Sequence, residues 1–88
     1  MNQSIVFSDV QTWDVQLSAI RFRAQQSGAL IECFITLKNL QSLMSVKIEG
    51  QQQALKVFVE NRFEIEELAE QLIEEEAFNL QGEIEVTG

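Results

Sequence analysis

The stretch "SAIRFRAQQSGALIECFITL", Ser18 to Leu37, constrains the fold more than any other part of the chain. It holds two alternating runs around a turn. In the first, Ile20, Phe22 and Ala24 fall on one side and Arg21 and Arg23 on the other. Period-two alternation marks a strand with one face against a core. "QQSG" reads as a turn, because Gly28 can take positive φ. "ALIECFITL" supplies a second strand, so about 18–37 is expected to be a hairpin. Two registers satisfy the pattern. A loop at Gln26-Ser27 sets Phe22 opposite Ile31 and Arg21 opposite Glu32. A loop at Ser27-Gly28 sets Phe22 opposite Cys33 and Arg23 opposite Glu32. In both, apolar residues meet on one face and an arginine meets the single acid on the other. Cys33 is therefore expected in the core, as a small buried hydrophobe. Ala19, Leu30, Phe34 and Thr36 share the second face with the arginines. That face needs cover from a loop carrying Trp13 or from a partner chain.

The flanking segments extend this frame. "SIVF" reads as a short N-terminal strand ended by Ser8-Asp9. Trp13-Asp14 then falls in a polar loop, Trp13 as a lid on the core and Asp14 as a turn or cap residue. "KNLQSLMSVKIEG" is ambiguous: Leu37, Leu40, Leu43 and Met44 suit a short helix capped by Asn39, while Val46 and Ile48 alternate as in a strand. Helical spacing predicts a helix over about 51–61, carrying Leu55, Phe58 and Val59 on one face, and another over about 64–77. Phe58, Ile65 and Leu72 lie seven apart, which would also fit one long helix. Asn61, a good helix-terminating residue, favours a break at 61–63. Glu64, with Glu67 three residues on, imitates a capping box. Ile65, Leu68, Ala69, Leu72 and Ile73 form the expected core face. Asn79–Gly82 reads as a turn, and "EIEV" as a last strand with Ile84 and Val86 inward. The fold class expected is α+β: a small antiparallel or mixed sheet with two main helices on one face. Residues 1–88 form one expected domain.

Composition narrows the setting. Hydrophobic residues make up 45% and charged residues 23%, the balance of a chain that folds. A chain of 88 residues buries only about 60–65% of its unfolded surface, so the core is small. One cysteine cannot form an intrachain disulfide. The N-terminus lacks a basic region followed by a long apolar run, and no apolar run approaches the ~20 residues that cross a bilayer. A reducing, cytoplasmic location is the simplest expectation.

The formal charge of −8 is unevenly placed. Every Lys and Arg lies within residues 1–62, whereas residues 63–88 carry nine acids and no base. Such a C-terminal third repels phosphate backbones and anionic lipid. With no His, triad-type catalysis and zinc–histidine sites lose their usual base or ligand. No Gly-rich phosphate loop is present. Two carboxylates on an exposed helix have no pocket to separate their pKa values. No catalytic residue, cofactor or metal ligand is assigned, and the chain is expected not to be an enzyme.

The acidic run "FVENRFEIEELAEQLIEEEAF" has two readings. Glu66, Glu67, Glu70 and Glu74 fall between the apolar positions, as on any solvated helix face. However, Glu74-Glu75-Glu76 crowd a helix C-terminus, where the dipole disfavours negative charge by roughly 0.3–1 kcal/mol per group. That cost points to a surface that meets a basic protein partner, centred on Glu66, Glu70 and Glu74 with Arg62 at its border. An alternative is a nucleic-acid-associated regulator using Arg21, Arg23 and Lys38 on a basic sheet face. A second alternative is a small-ligand or metal-binding protein, with carboxylates three and four apart sharing an ion. Uncovered strand edges, blunted by no Pro and few lysines, also suggest a homodimer.

The opening "MNQSIVF", the pair Trp13-Asp14, the Phe58–Phe78 block and the closing "GEIEV" together resemble a family of short bacterial proteins known as a domain of unknown function. The resemblance runs through nearly the whole chain in order. It implies a compact α+β domain with no assigned activity, and it brings no catalytic residue.

Overall fold

The computed structural model describes residues 4–87; Met1–Gln3 and Gly88, at the limits of the expected domain 1–88, lie outside the described residues. The element order is β1 (Val6–Asp14), β2 (Ala19–Gln26), β3 (Ala29–Thr36), α1 (Leu37–Met44), α2 (Gln51–Glu60), α3 (Arg62–Glu74) and β4 (Ile84–Glu85). The four strands form one sheet in the order β1-β2-β3-β4. The first two pairings are antiparallel and β4 runs parallel to β3, so the sheet is mixed. The α+β class is as the sequence pattern requires.

The hairpin takes the Ser27-Gly28 register: Phe22 faces Cys33 and Arg23 faces Glu32. Both loop residues have positive φ, 52° at Ser27 and 83° at Gly28. This is the mirror-image turn whose twist matches that of the flanking strands, and it requires φ > 0 at both positions. Ile20, Phe22, Ala24, Ile31, Cys33 and Ile35 then share one buried face.

The N-terminal strand is longer than expected. It does not end at Ser8-Asp9 but continues to Asp14, and Trp13 pairs with Ile20 inside the ladder. A bulge explains the discrepancy. Between Phe7 and Gln11 the register shifts, so that Ser8, Asp9 and Val10 oppose Arg23 alone. The bulge breaks the period-two pattern from which strands are recognised. It also corrects the placement of Trp13, which shares the core face with Ile20 rather than covering the opposite one. Asp14 ends the strand and accepts a hydrogen bond from the Leu17 amide at 3.0 Å, the turn role expected of it.

Residues 37–44 are helical. The cap is Thr36, whose hydroxyl accepts from the Asn39 amide at 3.1 Å; Asn39 is the donor and not the cap. Ser45 closes the helix in the left-handed region. Val46 and Ile48 do not form a strand, because the Ile48 amide is taken by the Gln41 side-chain oxygen at 2.8 Å. That bond turns Ile48 into the core, where it is 4% exposed.

The chain breaks between α2 and α3 at Asn61, inside the expected window. The Asn61 side-chain amide donates to the Val57 carbonyl at 2.8 Å, a second bond to an oxygen that also accepts the Asn61 backbone amide at 3.1 Å. The third helix occupies 62–74 rather than 64–77. Glu64 therefore lies in its first turn and does not cap it. Glu76, in the left-handed region, ends the helix, and the Ala77 amide reaches back to the Leu72 carbonyl at 3.0 Å. The buried line of α3 is Ile65, Ala69 and Ile73; Leu68 and Leu72 sit half-buried beside it. Phe58, fully buried on α2, meets Phe22 of the sheet with ring centroids 5.1 Å apart, and Phe7 stacks on the far side of Phe22 at 6.1 Å. Ile84 on β4 and Val86 just beyond it point inward and are fully buried, as expected.

This packing ranks the core. Phe58→Ala should lower unfolding stability by about 3–5 kcal/mol, and Ile65→Ala by about 2–5 kcal/mol. Leu68→Ala should cost less than either, about 1–2 kcal/mol, since its side chain is only partly buried. Urea denaturation of the three variants checks the order.

Candidate interaction surfaces

The bulge in β1 leaves the Ser8 and Asp9 carbonyls outside the paired register of the ladder. Arg62, the first residue of α3, reaches them. Its guanidinium donates to the Ser8 and Asp9 carbonyls, each at 3.3 Å, and to the Gln11 side-chain oxygen. The same group lies 5.3 Å from the Phe58 ring centroid and pairs with Glu66 one turn on at 3.3 Å. A planar, multiply donating cation suits this task in a way an ammonium does not. Arg62 is thus a clasp between the edge strand and the last helix, and its side chain is only 19% exposed.

Beyond the clasp, β1 and α3 diverge into an open groove of about 800 Å³. Ile5, Val6 and Phe7 line one side, and Phe63, 86% exposed, lines the other. Glu64, Glu66, Glu67 and Glu70 supply the acidic wall. The four residues expected as a contact surface therefore divide. Arg62 and Glu66 are bound to each other. Glu70 stands half-buried in the groove wall, and Glu74 is exposed one turn further along, outside the groove. Sequence reasoning missed Phe63, Glu64 and the strand residues. Phe63 does carry a signal: it lies off the seven-residue line of Phe58, Ile65 and Leu72. The strand's contribution could not be read, because it depends on the bulge.

The opposite face of the sheet carries no helix. Arg21 there hydrogen-bonds Asp14 at 2.7 Å and Glu83 at 3.2 Å, and stacks over Phe34 with 5.3 Å to the ring centroid. The guanidinium holds the Asp14 carboxyl below its ordinary range, helped by the Leu17 amide, and Asp14 in turn raises Arg21. Arg23 pairs with Glu32 at 2.7 Å. Lys38 does not belong to this face; it is exposed in the first turn of α1. The expected trio of basic groups is therefore not gathered, and two of its members are already neutralised. Val6, Val10 and Leu30 stand exposed on the same sheet face.

Cys33 lies fully buried, and burial pushes its thiol up to about 12, with a smaller push from the Glu32 charge. A thiol held neutral in this way is a poor nucleophile. Among the described residues, no three Asp, Glu or Cys side chains gather around a point where one metal ion would sit. Among the same residues, no helix is long and apolar enough to cross a membrane.

Residues 5–86 match the family described as "Protein of unknown function (DUF1488)". The uncharacterized protein YrdB of Escherichia coli K12 is 33% identical over 84 residues, covering 93% of this chain and 94% of its own. YrdB of Shigella flexneri is 32% identical over the same span. The crystal structure of a protein of unknown function from the same family, from Shewanella loihica PV-4, is 57% identical. It superposes with a TM-score of 0.91 and covers 98% of this chain and 94% of its own.

Two outcomes follow from the ion pairs. Arg62→Met removes the donors to two strand carbonyls and should destabilise by about 1–3 kcal/mol, with faster hydrogen exchange concentrated in β1; Arg62→Lys should recover only part of this. The depressed Asp14 carboxyl contributes stability that is fully present above the ordinary carboxylate range and is lost as pH falls through its folded value. Acid unfolding of Asp14→Asn should therefore be flatter than that of the parent below about pH 4, measured by circular dichroism.

Proposed function

This chain belongs to the DUF1488 family, and on that premise we propose that it is a non-enzymatic protein-interaction module that works in the cytoplasm. Its contact surface is the groove between β1 and α3 together with the acidic flank of α3. The observation that carries the reading is the exposed Phe63 ring set among Glu64, Glu67 and Glu70. An exposed aromatic that shares a groove with Ile5, Val6 and Phe7 offers a partner an apolar anchor inside a charged rim. Among the described residues that line the groove the one cation is Arg62, and it is engaged by Glu66 and the strand carbonyls, so the wall stays acidic. The fitting partner is a basic protein segment with an apolar side chain to set against Phe63 and Phe7.

A non-catalytic role draws support from the titratable groups. Among the described residues, those displaced from their ordinary range are Asp14 and Arg21, joined in a surface ion pair, and Cys33, sealed in the core. They do not converge on the groove. A cytoplasmic location draws support from the lone buried thiol.

The test is capture from an extract of the native host. Glu67→Lys, Glu70→Lys and Glu74→Lys together leave the Arg62–Glu66 clasp intact. They should weaken capture of basic partners by about 1–3 kcal/mol, roughly 5- to 150-fold, and Phe63→Ala should weaken it independently. An unchanged set of captured proteins in both variants would overturn the reading.

A further inference from the structure

We propose that the helix-free face of the sheet is a second interaction surface, and that its partner is another copy of this chain. Val6, Val10 and Leu30 are 64, 65 and 68% exposed there. Val6 and Leu30 flank Gln25 in one row across three strands, and Arg23 with Glu32 forms the adjacent row beside the bulge that carries Val10. Exposed apolar side chains on neighbouring rows of an open sheet face, set around a charge pair, have the layout of one half of a sheet-on-sheet contact.

Charge selects the occupant. The molecule carries −8, so two copies repel unless they meet through a balanced face. The acidic flank of α3 cannot serve. The sheet face comes closest to balance: Arg21 and Arg23 offset two of its four acids, Asp14, Glu32, Glu83 and Glu85. That face is also complementary to itself. Arg23 uses only its Nε atom on Glu32, at 2.7 Å, and its side chain is 62% exposed. Its two terminal nitrogens have no partner among the described residues. A twofold axis passing between Arg23 and Glu32 sets each free guanidinium edge against the Glu32 carboxylate of the other copy. Twofold contacts demand this pairing of one patch with itself. Eight residues at ~3.3 Å by three to four strands at ~4.8 Å give roughly 400–500 Å² per copy. That is below the ~800 Å² of an ordinary interface, so the dimer is weak and concentration-dependent.

Sedimentation equilibrium from low-micromolar to near-millimolar protein tests the proposal. The mass should rise from 10.0 kDa toward twice that value. Leu30→Asp or Val10→Asp, both at exposed positions, should hold the chain at the monomer mass throughout. Arg23→Glu and Glu32→Arg should each weaken association by about tenfold or more, and the double exchange Arg23→Glu/Glu32→Arg should return it to near the parent value. A parent that stays at the monomer mass overturns the proposal. So does a dimer unaffected by Leu30→Asp, or a double exchange no tighter than its single variants.

Discussion

The contact of Phe58 with Phe22 is the constraint on which the rest of the structure depends. A chain this small has room for one core, and that core is a single layer between a sheet face and three helices. Phe58 is fully buried at its middle, against Phe22 on one side and under the Arg62 guanidinium on the other. Its position fixes α2 over the sheet. The break at Asn61 then determines where α3 begins, and with it where Arg62 reaches β1. Each later feature inherits its place from that aromatic contact.

Arg62 illustrates how a residue's composition-level meaning and its structural work can differ. As the one base in a long acidic run, it looks like the border of a charged surface. In the fold it is an internal donor that completes the hydrogen bonding of a bulged edge strand. Satisfying those carbonyls inside the molecule also blunts an edge that would otherwise invite strand pairing. The acidic wall that remains is therefore not a diffuse property of α3. It is a groove lined by Phe7 and Phe63, framed by a strand that the clasp ties to α3.

The parts of the fold that were legible in the sequence are those set by local rules. Alternation and a Gly-containing turn gave the β2–β3 hairpin, though parity alone left two registers, and the positive φ at Ser27 and Gly28 decides between them. Asn61 marked the break between two helices of correct approximate extent. What could not be read depends on pairing or on distant partners. The bulge at Ser8–Val10 erased the strand signal before Trp13. Glu83, sixty-two residues from Arg21, helps neutralise an arginine that in sequence looked free. Leu68 and Leu72 have the right spacing for the core, but the helix is rotated so that Ile65, Ala69 and Ile73 lie at its centre. The candidate site was half legible: its acids were visible, and its strand wall was not.

The parallel seating of β4 on β3 has a consequence for how the molecule is made. Ile84 and Val86 are fully buried and seal the side of β3 that β2 does not occupy. Residues 37–83 separate the two strands, which at 5–20 residues per second is roughly 2–10 s of ribosomal synthesis. Until β4 is made, the margin of β3 opposite β2 has no strand partner and the core lacks its last two side chains. The final closure must then bridge a long loop, an entropic toll that grows only slowly with length. Completion of the core thus depends on the arrival of the C-terminal strand, and any chain that lacks it leaves β3 as an open edge.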